Sequence, residues 1–129
     1  MALWRITPQR PRSRKAERVV TETETLHTEP CEQVFRRHQR VTRCALVGVG
    51  ERGRQRPAVV VEAGVRDSTD GRRFAQKLHD LGKQHPHTAG ITTFYFHPRF
   101  PVDVRHNAKI HRLALARWAA AVRGFDAAP

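Results

Sequence analysis

A chain of 129 residues has room for one domain with a single core, and too little for a complete two-domain enzyme. Hydrophobic residues make up 39% of it and fall in runs, which excludes a disordered polymer. The net charge of +12 comes from 24 Lys and Arg against 12 Asp and Glu, so its field draws nucleotides, phosphates or nucleic acid.

The two cysteines, Cys31 and Cys44, sit inside apolar segments where a thiol behaves as a small hydrophobe. They do not form a disulfide scaffold, and a reducing cytoplasm is the expected location. No run of about 18 apolar residues is present, so no membrane span is expected. The start, MALWRITPQRPRSRK, lacks the apolar stretch and cleavage site of a secretory signal.

Residues 1–13, with Pro8 and Pro11 among arginines, read as a disordered basic arm. ERVVTETETLHT alternates β-branched and polar residues as a short hairpin does, with its turn near Glu22 and Thr23. Thr28, Glu29 and Pro30 open a helix through His38, with Val34 and Phe35 facing inward. CALVGVG and PAVVVEA are continuous apolar runs joined by the polar ERGRQR, which predicts a strand pair. Thr69 to His85 carries Phe74, Leu78 and Leu81 at helical spacing, with Arg73, Lys77 and Asp80 outside. HPHTAG breaks that helix, and ITTFYFH supplies a third strand. The order predicts an α+β fold: a small three-stranded sheet with packed helices, preceded by a β-hairpin, with residues 124–129 as a flexible tail.

The last segment, FPVDVRHNAKIHRLALARWAA, is the most informative. Pro101 begins a polar loop that delivers Lys109 to the start of a helix, with Asn107 as its N-cap. Ile110, Leu113, Ala114, Trp118, Ala121 and Val122 fall at helical spacing as its buried stripe.

Taken together, Ser13 to Arg18, then Pro30-Cys31-Glu32, then CALVGVG, then Asn107-Ala108-Lys109-Ile110-His111-Arg112 resemble the C-terminal domain of the adenylate-forming superfamily. That superfamily includes acyl-CoA synthetases, peptide-synthetase adenylation domains and firefly luciferase. The finer pattern, TEPCEQVFRRH with HPHTAGI and FPVDVRHNAKI, is similar to its olefin β-lactone synthetase branch, and the likeness covers residues 14–120.

The resemblance implies that residues 14–123 are a C-terminal lid domain whose Lys109 is catalytic. Arg14, Lys15, Ala16 and Glu17 would then be the hinge about which it turns, and His106 and Asn107 would lie against substrate or phosphate. It implies ATP with Mg2+, bound mainly by an N-terminal adenylation core, and a long-chain 3-hydroxy acid as the substrate of the assembled enzyme. A lysine suits that chemistry, because carboxylate attack on the α-phosphorus develops negative charge that an ammonium stabilises in a dry site. The sequence departs from the family at two glycines, replaced by Ser13 and Ala108, and contains no Gly/Ser/Thr-rich phosphate loop. The chain by itself is therefore expected to be inactive.

Two other constellations stand beside this one. His27 and Cys31 with His85 and His87 offer nitrogen and sulfur ligands, but at spacings that favour ordinary surface or satisfied residues over a metal site. Glu32 could act as a base, although its place in a first helical turn gives it a structural reason. The alternative functions are a small basic nucleic-acid-binding module and an inert remnant of a truncated gene. In the first, Trp4 would stack on a base while Arg5, Arg10, Arg12, Arg14, Arg105, Arg112, Arg117 and Arg123 meet phosphates. No zinc-finger, RRM or helix-turn-helix spacing supports recognition of a specific nucleic acid.

Overall fold

The computed structural model describes residues 18–51, 53–100, 102–103, 109–110 and 112–127, the two short pairs by their backbone alone. The N-terminal arm expected at residues 1–13 lies outside them.

The hairpin forms as expected. Strands β1 (Arg18–Val20) and β2 (Thr25–His27) pair antiparallel, Val19 opposite Leu26. Its turn has no Gly or Asn; the Thr21 hydroxyl oxygen accepts instead from the Thr23 N–H at 3.2 Å and the Glu24 N–H at 3.0 Å. Helix α1 (Thr28–Phe35) follows at once and is one turn shorter than its sequence suggests.

Strands β3 (Arg43–Val49) and β4 (Arg56–Glu62) form the expected antiparallel pair. Helix α2 (Ser68–Gly82) then crosses over to β5 (Thr93–His97), which runs parallel to β4. A parallel neighbour cannot be reached by a tight turn, so a long crossover between the two strands is a geometric necessity, and here the helix supplies it. Asp67 caps α2, its carboxylate accepting from the Asp70 N–H at 2.8 Å.

Among the described residues the sheet has four strands rather than the three expected, β3, β4 and β5 in that order followed by one more beside β5. Its fourth, β8 (Phe125–Asp126), lies in the stretch expected as a flexible tail and pairs with Thr93 and Phe94 of β5. Apolar burial fixes it there: Phe125 packs against the core and Ala127 is buried. Gly71 makes this docking possible, because a Cβ at that position would stand 2.5 Å from the Phe125 ring.

The continuous apolar runs are explained by a sheet covered on both faces. Alternate residues Leu46, Val59, Val61 and Phe94 meet Phe35, Phe74 and Leu78 of α1 and α2. Ala45, Val47, Val60 and Tyr95 point the other way, toward Leu115 and Ala119 of α3 (Arg112–Ala121). That packing corrects the expected stripe of the last helix. Leu113 is 53% exposed and Val122 39%, whereas Leu115 and Ala119 are fully buried. The helix is apolar nearly all round, so its composition left the buried face ambiguous and the sheet decided it.

Candidate functional site: the lysine segment and its two anchors

Lys109 does not stand at a helix start. It lies in β7 (Lys109–Ile110), opposite Asp103 of β6 (Val102–Asp103), and α3 begins only at Arg112. The N-cap expected at Asn107 falls outside the described residues. The side chains of Lys109 and Ile110, together with His106, Asn107 and the hinge residues Arg14, Lys15, Ala16 and Glu17, lie outside what is described.

The segment between Phe100 and Arg112 is held at both ends by a buried glutamate. At the first end, the Glu62 carboxylate accepts from the Phe100 N–H at 2.7 Å. The same carboxylate takes two bonds from Arg43, Nε at 2.8 Å and Nη2 at 2.7 Å, and these hold it below the usual carboxylate range despite its burial. The Phe100 ring is buried against His97, with the Arg43 guanidinium 5.8 Å from its centroid. His97 in turn lies edge-on to Trp118 of α3 at 4.7 Å.

At the second end, Glu32 is wholly buried on α1. It accepts from Arg112 Nη2 at 2.7 Å and Nε at 3.1 Å, and from the Leu46 N–H at 2.8 Å. Three elements, α1, β3 and α3, therefore meet on one carboxylate. Burial pushes that carboxyl up from its ordinary value of 4.5, against the pull of Arg112 and of the Leu46 N–H. With three donors directed at its two oxygens and its side chain enclosed by protein, Glu32 is an anchor for the lysine segment rather than a proton acceptor for substrate.

Arg112 was expected among exposed, phosphate-contacting arginines. Only 17% of its side chain is exposed, and two of its nitrogens are committed to Glu32. The signal for this pair was present in TEPCEQVF: Glu32 stands one residue after Cys31 and three before Phe35, within the buried stripe of α1. Glu62 and Arg43, at the ends of two apolar strands, carried no comparable mark.

The histidine and cysteine constellation does not assemble. Among the described residues no three His, Cys, Asp or Glu side chains gather as metal ligands. The Cys31 thiol faces the His87 carbonyl at 3.8 Å, and the His87 ring bonds the Pro30 carbonyl at 3.2 Å. Burial pushes the Cys31 thiol up to about 11 and that of Cys44 to about 12, so neither is a ready nucleophile. No helix among the described residues is long and apolar enough to cross a membrane.

No protein-family model matches the chain. Its sequence is similar to an olefin β-lactone synthetase of Xanthomonas campestris, 49% identical over 113 residues that make up 85% of this chain and 20% of that protein. Its fold is similar to part of the acyl-CoA synthetase of Brucella canis, with a TM-score of 0.65 and 19% identity over 82% of this chain and 19% of that one. It is also similar to part of the o-succinylbenzoate CoA synthetase of Bacillus subtilis, solved with an acyl-adenylate intermediate. There the TM-score is 0.60 and the identity 17%, over 79% of this chain and 20% of that one. The chain thus spans about a fifth of the length of the relatives it matches, in their C-terminal portion.

Proposed function

We propose that this chain, the counterpart of the C-terminal portion of adenylate-forming enzymes, is the lid of an olefin β-lactone synthetase and works by closing over a separate adenylation core. The observation that carries this reading is the 49% identity, which runs over 113 residues rather than one motif. The two glutamate anchors support it, since they hold both ends of the segment bearing Lys109 against a packed sheet.

In the assembled enzyme a carboxylate oxygen of a long-chain 3-hydroxy acid attacks the α-phosphorus of ATP, and the bond to pyrophosphate breaks. Lys109 offers its ammonium to the charge that develops on the phosphoryl oxygens. The substrate's own hydroxyl oxygen then attacks the acyl carbonyl, AMP leaves, the hydroxyl proton passes to solvent, and a four-membered lactone closes. The described side chains do not fit a bound Mg2+, so ATP and its metal are assigned to the core and no step is routed through the ion here. His106 and Asn107 would line the phosphate, and Arg14 to Glu17 would carry the rotation.

The test pairs the chain with the Xanthomonas campestris enzyme lacking its own C-terminal fifth, supplied with ATP and a 3-hydroxy fatty acid. Pyrophosphate release should rise when the chain is added, and Lys109→Ala should remove most of the gain, because losing one cation from such a transition state costs about 3 kcal/mol, or roughly a hundredfold in rate. The chain alone should release none. Equal stimulation by the wild type and Lys109→Ala would overturn the role of Lys109, and release by the chain alone would overturn the division into lid and core.

A further inference from the structure

Where β1, β3 and the start of α3 meet, a recess of about 40 Å³ opens to the surface, lined by Arg18, Gln55 and Arg112 with Gly48 and Leu113. Its side-chain polar groups are donors, apart from the Gln55 Oε1, which is already taken up by a backbone N–H. Arg18 Nε is buried and has no hydrogen-bond partner among the described residues. Gln55 is oriented by its Oε1, which accepts from the Val20 N–H at 3.1 Å, so its amide nitrogen has its hydrogens to offer elsewhere. Arg112 gives Nε and Nη2 to Glu32, and its Nη1 has no partner among the described residues. Among the described residues no carboxylate lines the recess.

The charge of Arg112 is balanced by Glu32, but the buried Arg18 Nε–H without an acceptor among the described residues is unfavourable. One ligand type relieves it and can take the remaining donors as well, a group with two or more negative oxygens. The space is also kept open by sequence. Gly48 lies directly under the Gln55 amide, and a Cβ there would come within 2.4 Å of Cδ and 2.7 Å of Nε2. Any other residue at position 48 would push the amide out of its place.

We propose that Arg18, Gln55 and Arg112 form an oxyanion-binding recess that takes a single carboxylate or phosphate group. The site is separate from the lysine chemistry proposed above and does not depend on it. It sits on the same rigid face as the Arg112 anchor, so its occupant would meet the lid beside the lysine segment. A phosphate-bearing small molecule and a carboxylate side chain of a partner protein are the two sources of such a group.

The test titrates the full chain at constant ionic strength with inorganic phosphate, pyrophosphate and acetate, following the Arg18 Nε–H and Gln55 side-chain amide resonances by nuclear magnetic resonance. Saturable shifts of these two groups are expected with at least one of the three. Phosphate or pyrophosphate outcompeting acetate would indicate the small-molecule source, and the reverse order a carboxylate. Arg18→Gln and Gly48→Ala should each weaken binding at least tenfold, whereas Arg117→Gln, on the exposed side of α3, should leave it unchanged. Failure to saturate with all three anions, or equal weakening by Arg117→Gln, would overturn the proposal in favour of diffuse attraction. Retained thermal unfolding of each variant separates loss of the site from loss of the fold.

Discussion

Glu32 and Arg112 form a buried pair whose two members are not equivalent. Arg112 retains some contact with solvent, while Glu32 has none. Removing the arginine strands a carboxylate in the interior, a loss of about 3–5 kcal/mol, whereas removing the carboxylate leaves a long cation that can reach water. Arg112→Met is therefore expected to lower the urea midpoint more than Glu32→Gln, and the double variant Glu32→Met/Arg112→Met to recover part of the loss. The pH dependence follows from the sign of the shift. A carboxyl whose folded pKa is raised binds its proton more tightly when folded, so its burial is best tolerated at low pH and becomes unfavourable as the pH rises through that pKa. The defect of Arg112→Met should accordingly shrink on acidification from neutrality. A defect that is the same at every pH would show that Glu32 is not the group left exposed to the loss.

At the scale of elements, α2 is tied to the segment after α1 by Asp70. Its carboxylate accepts from Arg40 Nη1 and Nη2 at 3.0 Å each and from the Arg66 N–H at 3.0 Å, and the Arg40 guanidinium lies 4.3 Å from the Phe74 ring centroid. These partners lower the Asp70 carboxyl from 3.8 to about 2. A depressed carboxyl contributes stability above its unfolded pKa and loses it as the pH falls through the folded one. The Asp70 contribution should therefore hold from neutrality to about 4 and be lost between there and about 2, with the lowered Glu62 carboxyl adding to the loss and the raised Glu32 carboxyl opposing it. Asp70→Asn should flatten part of that slope in an acid titration followed by circular dichroism. Much of this scale was legible in the sequence. Periodicity located α1, α2 and the three long strands because burial repeats over enough residues to mark them. The face of α3 and the strand at Phe125 were not legible: the helix offers apolar residues on every side, and a two-residue strand has no period. The anchors were half legible, Glu32 through its place in a helical stripe and Glu62 through nothing local, since its partners Arg43 and Phe100 are brought together only by the sheet.

For the whole molecule, the charge of +12 is the property shared by every reading of the sequence. Of the arginines considered for nucleic acid, Arg112 is turned inward to Glu32, while Arg117 and Arg123 remain exposed. A scattered cationic surface binds through counterion release, without regard to base sequence. Fluorescence anisotropy with labelled DNA and RNA is expected to show weak association that disappears by about physiological ionic strength, where charges are screened beyond about 8 Å. Deleting residues 1–13 should weaken it further, since Arg5, Arg10 and Arg12 leave with them. Tight binding at that salt, with preference for one sequence, would require base-reading contacts and would displace the lid from first place.

The parallel pairing of β4 with β5 sets an order on how the lysine segment acquires its shape. Hairpins such as β1–β2 and β3–β4 join neighbours and can form early, but Ala58 meets Thr93 only after α2 has been laid down between them. Glu62 can meet Arg43 within the β3–β4 hairpin, but its bond to the Phe100 N–H spans 38 positions of chain and that of Glu32 to Arg112 spans 80, so neither end of the lysine segment is tethered until long-range closure is complete. The two fixed ends around Lys109 are thus a late and cooperative product of folding. A partly assembled chain would carry its hairpins and helices and still present its lysine on a segment tethered at neither end.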